Sequence, residues 1–349
     1  MASLSINFLY DTQTLLAALE KISTPVKFLK ETFFPMTNFS STEFVELDFR
    51  KTGRVVAPIE DVLQGPIILQ RQGFNTQTYR APVIAGARVL DVQTILKRWS
   101  GENPFTTRTP ADRAAEIIRT DLLELDTFIS RSEEISAANV LLQGGAFDGN
   151  GNFQTYGTVQ TFTPTVKWDA TTGATILKDL RAMYDLVGKT GLIWPNIVVF
   201  SPQIFAAFRD DPVVQNAFRA YNQYAPLIGA IAPEKLSDNV YYAGHLPEPS
   251  LDVYIYRDYF LNSSNVNTDI LDPKKMIMGS NKGNGKFLYG AISQIEDVNT
   301  GEFVTYAEST RVPQVVADKK TNVRTLNLRS RFLAAHPDIT EYVVGSVLT

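Results

Sequence analysis

Apolar side chains recur every three or four positions along one stretch: Ala111, Ala114, Ala115, Ile118, Leu122, Leu125, Ile129 and Val140 form a stripe that Ile117, Phe128 and Ile135 widen. Thr109 as N-cap, Pro110 at the first helical position and Asp112 in the first turn open the pattern, and no breaker interrupts it before Gly144-Gly145. The spacing predicts a helix over about 109–142. At about 1.5 Å per residue it would span roughly 50 Å, more than the diameter of a compact domain of this size. An elongated molecule with this helix as its long axis is expected.

The rest of the chain divides around that helix. Asp11 caps a short amphipathic segment carrying Leu15, Leu16, Leu19 and Ile22 before Pro25, and Phe28 to Phe34 follows as an aromatic-rich connector. Such a segment cannot bury itself and reads as an arm lying against its own subunit or a neighbour. Strand character runs from 43 to 92, with a Lys51-Thr52-Gly53 turn and a polar tip at Arg71 to Asn75, so two hairpins are the simplest arrangement. The second either projects toward a partner surface or lies flat on its own domain. From about Val166 to Val298, helical and apolar strand patterns alternate, as in an α/β layer. Beyond Glu302 the chain returns to strand, with Leu326, Leu328 and Phe332 on one face and Thr325, Asn327, Arg329 and Arg331 on the other. Pairing of this strand near the long helix would make the α/β layer an insertion.

Composition narrows the chemistry. The 349 residues are 44% hydrophobic, enough for a real core, and 33 basic against 37 acidic residues give a net charge of −4, without the basic excess of a general nucleic-acid binder. No cysteine is present, which excludes disulfides and thiolate ligands, and only His245 and His336 supply imidazole. Each is read as a surface or loop residue. No leader-like N-terminus and no membrane-spanning apolar run occur, so a soluble protein made in the cytosol is expected. Gly279 to Phe287 misses the phosphate-loop spacing by one residue and ends on Phe287 where a hydroxyl is needed. Asp148, Asn150 and Asn152 have calcium-loop spacing, but Phe153 and Val159 occupy the required glycine and glutamate positions. Ser201 reads as a helix cap. The helix carboxylates Asp112, Glu116, Asp121, Glu124, Asp126, Glu133 and Glu134 are interleaved with arginines, as on a solvated or intersubunit face. No catalytic residue, cofactor or metal site is expected.

Five segments carry a resemblance: FLKETFFP (28–35), VVAPIEDVLQGPIILQRQG (55–73), NIVVFSPQIFAAFR (196–209), DILDPKKMIMG (269–279) and FLAAHPDITEYVVGSVL (332–348). In order and spacing the chain resembles the lambda-like major capsid protein E family of tailed bacteriophages, departing locally at His336, where an acidic residue is common. The resemblance implies an α+β chain with the Hong Kong 97 fold: an N-terminal arm at 1–45, an extended E-loop hairpin with adjoining strands at 46–90, a P-domain at 91–165 holding the long spine helix, and an inserted α/β A-domain at 166–298. Return strands of the P-domain at 299–335 and a C-terminal segment at 336–349 packed on the A-domain complete the expected order. It further implies a structural, non-enzymatic protein that assembles with itself into pentamers and hexamers of an icosahedral shell around phage DNA, in the virion after a stage in the host cytoplasm. A separate scaffolding polypeptide is expected, since the chain opens on the arm. A portal protein, a head decoration protein and non-specific contact with packaged DNA are the other expected partners, with no membrane. Arg71, Phe74, Arg80, Phe33, Phe34, Arg329 and Arg331 are the candidate intersubunit contacts. An encapsulin-like compartment shell and a carboxylate-dependent hydrolase are the alternatives.

Overall fold

A computed structural model describes residues 12, 15, 27–49, 73–91, 109–170, 173–221, 234–262, 264–295, 302–318, 320 and 323–349. The chain enters the described part through helix α1 (Phe28–Phe33) and strands β1 (Met36–Phe39), β2 (Phe44–Phe49), β3 (Asn75–Arg80) and β4 (Val83–Asp91). Helix α2 (Pro110–Gln143) follows, then β5 (Gly145–Phe147), β6 (Phe153–Thr155) and β7 (Gln160–Phe162). The next region holds α3 (Ile176–Thr190), β8 (Ile197–Phe200), α4 (Pro202–Asp210), α5 (Pro212–Tyr221), β9 (Glu234–Lys235), β10 (Val240–Leu246), β11 (Leu251–Tyr256), β12 (Tyr259–Leu261), β13 (Asn267–Asp269) and β14 (Lys275–Gly279). The chain closes with β15 (Lys286–Tyr289), β16 (Ile292–Ile295), β17 (Phe303–Tyr306), β18 (Val312–Asp318), β19 (Val323–Ala335) and β20 (Val343–Ser346).

The long helix forms as its pattern predicts, over 34 residues. Thr109 and Asp112 make a reciprocal capping box, and Gly144 ends the helix at φ +73°, a left-handed conformation in which a Cβ would meet the Gly157 carbonyl oxygen at 2.6 Å. Among the described residues no helix is long and apolar enough to cross a membrane.

Two large sheets flank the helix. One runs β1-β15-β19-β18 with β4 also paired to β19, and its inner side chains Leu90, Leu326 and Leu328 pack with Leu122 and Leu125 of α2. The close approach requires Gly86, where a Cβ would lie 2.7 Å from the Leu125 side chain. The other is a seven-stranded mixed sheet in the order β7-β20-β14-β8-β11-β10-β9. Its central strands are apolar on both faces because both are covered. Ile197, Val199, Ile277 and Val344 join the core around α2, while Val198, Phe200, Met276, Met278 and Val343 join a second core with α3 and α4. The last strand, β20, lies between β14 and β7, so residues near the C-terminus are integral to this sheet.

Of the strands expected before the helix, only part lies among the described residues. β2 pairs antiparallel with β3, from Phe44↔Arg80 to Phe49↔Asn75, so residues 44–49 and 75–80 form the two legs of one pair. Val45, Leu47 and Tyr79 are buried, and Tyr79 and Phe49 both pack on Tyr156. That shared anchor holds β2 and β3 in one register. The expected turn at Lys51 to Gly53, the tip residue Arg71, and most of the predicted helix after Asp11 lie outside the described residues; Leu15 of that segment is buried in the main core.

Candidate assembly surface

The candidate contact residues fall into three environments. Phe33 and Phe34 are 1% and 3% exposed, which corrects their assignment as intersubunit contacts. The Phe34 ring meets Phe287 edge-on at 5.5 Å, and Phe33 lies against Gly279 where a Cβ would clash, so both rings anchor the N-terminal segment in its own subunit.

Arg80 and Arg331 are tied down from one side. Both guanidinium groups reach Glu43 Oε2 at 3.1 Å, and Arg80 also donates to the Asn150 side chain. The Gly149 amide donates to the Arg80 carbonyl at 2.8 Å, and the Ala291 amide to the Thr42 carbonyl at 3.0 Å. The base of the β2–β3 pair is therefore fixed to the β5–β6 turn and to the large sheet. At its far end Phe49 packs on Tyr156, while Phe74 is 69% exposed.

Arg329 belongs to the third environment, an outward sheet face. Along β4 exposure alternates, with Val83, Ala85, Ala87 and Val89 outward. Register places Arg331, Arg329, Asn327 and Thr325 of β19 beside them, and Gln314 and Val316 of β18 beyond. Val89 is 63% exposed and Val83 47%. The outward row of β4 is apolar, and among the described residues only the inner side of this sheet is covered, by α2. Phe303 and Ile295 on the β16–β17 hairpin, and Tyr259 and Leu261 on β12, are also exposed.

Behind that surface lies a charge cluster that the sequence pattern misassigned. Asp126, Glu133 and Glu134 of α2 are buried, which corrects their expected place on a solvated or intersubunit face, and Ser130 is buried beside them. The guanidinium of Arg311 donates to Asp126 Oδ1 at 2.8 Å, Glu133 Oε1 at 2.7 Å and Ser130 Oγ at 3.3 Å. Lys27 and Lys30 reach Glu133 Oε2 at 3.0 and 2.9 Å, and the Tyr289 hydroxyl donates to Glu133 Oε1. Burial alone would raise Glu133, but Arg311 and then the two lysines hold it below the usual carboxylate range. Among the described residues no cation pairs with Glu134. It accepts from the amides of Leu29 and Lys30 and from the Tyr256 hydroxyl, and burial pushes it up to about 7 against these donors. Lys27 and Lys30 stand more than 100 positions from the glutamate they neutralise, and no local spacing announces them.

The other candidate motifs resolve as turns. Asp148 Oδ1 accepts from the Asn150 and Asn152 amides, closing the β5–β6 turn with its own backbone, and the Gly-rich run joins β14 to β15. Ser201 caps α4 through the Ile204 amide. His245 is half-exposed beside Asp252, as a surface residue should be. His336 is not: it is 2% exposed between the rings of Phe34 and Tyr342, and burial pushes its imidazole down to about 4, so it is neutral at pH 7. Among the described residues no group of His, Asp and Glu has the arrangement of a metal site.

The same architecture recurs elsewhere. A putative capsid protein of a prophage of Escherichia coli CFT073 superposes with a TM-score of 0.68 at 16% identity, covering 97% of this chain and 99% of that one. A phage-related protein of Bordetella bronchiseptica RB50 gives 0.54 at 11% identity, covering 97% of each chain. These likenesses are of fold, the Hong Kong 97 type. In sequence, the major capsid protein of Enterobacteria phage P21 is 32% identical over 139 residues, 39% of this chain and 40% of that protein, so the match spans well under half of the relative. The model of the family described as phage major capsid protein E matches residues 11–345, nearly the whole chain, and the protein belongs to that family.

Proposed function

We propose that this chain is the building block of an icosahedral shell enclosing the DNA of a tailed phage, assembling with itself as pentamers and hexamers. The observation that carries the reading is the outward face of β4, β19 and β18, where Val83, Ala85, Ala87 and Val89 lie uncovered beside Arg329. Another copy of the chain burying that face would complete the sheet's second layer. In this reading residues 1–45 are the arm, 46–90 the E-loop region reaching a neighbour, 91–165 and 299–335 the P-domain, and 166–298 the A-domain, with 336–349 closing onto it. Phe74 and Arg71 would meet the neighbour, while Arg80 and Arg331 would brace the loop's base. A separate scaffolding protein, a portal, a decoration protein and non-specific DNA contact are the partners consistent with such a shell, and the host cytoplasm is where it would assemble before residing in the virion. The role is structural, and the buried carboxylates of α2 support that: each is engaged by cations or donors and out of reach of a substrate.

The direct test is assembly of the full chain, alone and with its scaffold, followed by light scattering and negative-stain imaging. Megadalton particles or capsomers are expected from the native chain. Arg329→Glu should reduce them sharply while leaving circular dichroism unchanged. A native chain that stays monomeric at high micromolar concentration under both conditions overturns the reading.

A further inference from the structure

Two neighbouring glutamates in the middle of α2 have been given opposite surroundings, and the difference has a mechanical consequence. Glu133 is matched by Arg311, Lys27 and Lys30. Glu134 is matched by donors from two separate parts of the chain: the amides of Leu29 at 2.7 Å and Lys30 at 3.1 Å, at the start of α1, and the Tyr256 hydroxyl at 3.1 Å, at the end of β11. Two of these elements, α1 and β11, also meet through rings, since Phe28 packs on Tyr254 at 5.2 Å and stacks on Tyr256 at 5.9 Å. One carboxyl thus joins the N-terminal segment and the seven-stranded sheet to the long helix.

Burial of the carboxyl and the nearby Asp258 favour its neutral form, against the three donors, which favour the ionised one. Lys27 and Lys30 direct their ammonium groups to Glu133, as Arg311 does its guanidinium, and the Tyr289 hydroxyl also goes there. From the turn after β11 comes Asp258, a further negative charge, itself raised by burial, with Arg131 acting on it rather than on Glu134. Protonation is accommodated by the bond pattern. Oε1 accepts the Leu29 amide and the Tyr256 hydroxyl, whereas Oε2 accepts only the longer bond from Lys30. A proton on Oε2 gives up that single weaker bond.

We propose that Glu134 is a proton-operated latch: protonated, it fastens residues 27–34 and the end of β11 to the long helix, and ionised, it loosens them. The sign follows from the ordinary linkage relation. The folded carboxyl titrates above its unfolded value, so its contribution is complete below about pH 4.5 and is lost as pH rises through about 7. Between pH 5.5 and 8.5 opening of the junction should increase about thirtyfold. The latch does not depend on the shell reading, although release of an arm is the kind of motion a shell subunit could use.

Hydrogen exchange of the full chain, followed for residues 28–34 and corrected for the intrinsic pH dependence of exchange, is the measurement. Native protein should lose about thirtyfold protection in this segment from pH 5.5 to 8.5, with α3 and α4 unaffected. Glu134→Gln should flatten the profile. Asp258→Asn should keep the dependence and move its midpoint down, because a like charge is removed. Tyr256→Phe retains the carboxyl, should fold if Glu134→Gln does not, and should move the midpoint up, because a donor to the ionised form is lost. Unchanged protection across this pH range in the native protein overturns the latch, as does a profile in Glu134→Gln that matches the native one or one abolished by Asp258→Asn.

Discussion

The seven-stranded sheet is covered on both faces by its own chain, whereas among the described residues the sheet of β4, β19 and β18 is covered on one side only. In β8 all four residues are buried, with Ile197 and Val199 turned to the long helix and Val198 and Phe200 to α3 and α4. In β4 the inward residues meet the same helix, yet Val83 and Val89 across the strand meet water. Both strands carry apolar side chains on two faces, and the difference lies in what the fold supplies to cover them. Covering both faces makes a self-sufficient layer; leaving one apolar face open makes a stable subunit that still gains by association.

The largest effect on this comparison comes from the element the two sheets share. Leu122 is 1% exposed and packs where the helix crosses the large sheet, so Leu122→Asp should abolish soluble folding by placing an unpaired charge in that layer. Expression followed by circular dichroism reads the outcome. Folded, soluble Leu122→Asp would mean that the sheets stand without the helix between them. Arg311→Met comes next. Asp126 and Glu133 would keep their buried charges without their main partner, at a cost of about 3–5 kcal/mol in denaturant unfolding. Adding Glu133→Gln and Asp126→Asn should return part of that loss, since the penalty lies in the orphaned charges rather than in the missing contact.

These two sites also mark what could be read along the chain. Leu122 and the stripe around it were legible, because a helix announces itself through spacing and caps within a few residues: Thr109, Pro110 and Gly144 all act where they stand. The outward and inward rows of β19 were legible for the same reason, as strict alternation. The Arg311 cluster was not. Its cations stand more than 100 positions from the carboxylates they pair with, and acidic residues among arginines look the same whether the partner is water or a distant guanidinium. His336 was misplaced on the same ground, since its burial depends on Phe34 and Tyr342 meeting around it. The β2–β3 pairing was missed because 25 residues separate Phe49 from Asn75, and a nearby turn signal outweighs a remote partner in any local reading. Of the candidate assembly surface, Arg329 and Phe74 are legible as candidates from the sequence, but the apolar row beside Arg329 reads there only as strand.

The finest division between the sheets is one substitution made twice. Val198→Thr and Val89→Thr both exchange a methyl for a hydroxyl and keep a β-branched side chain, so strand preference is nearly constant. Val198 is fully buried between β8 and α3, and a hydroxyl there has no partner, so unfolding should show a loss of about 1–3 kcal/mol. Val89 is 63% exposed, and its hydroxyl would be hydrated, so the change should stay within about 0.5 kcal/mol. The order should reverse when assembly is measured. If another copy covers the outward face, Val89→Thr puts an unsatisfied hydroxyl into that contact and should raise the concentration needed to form particles, while Val198→Thr acts only through subunit stability. Equal particle formation by Val89→Thr and the native chain would mean that the outward row of β4 stays in water after assembly, and the open side of that sheet would then need another explanation.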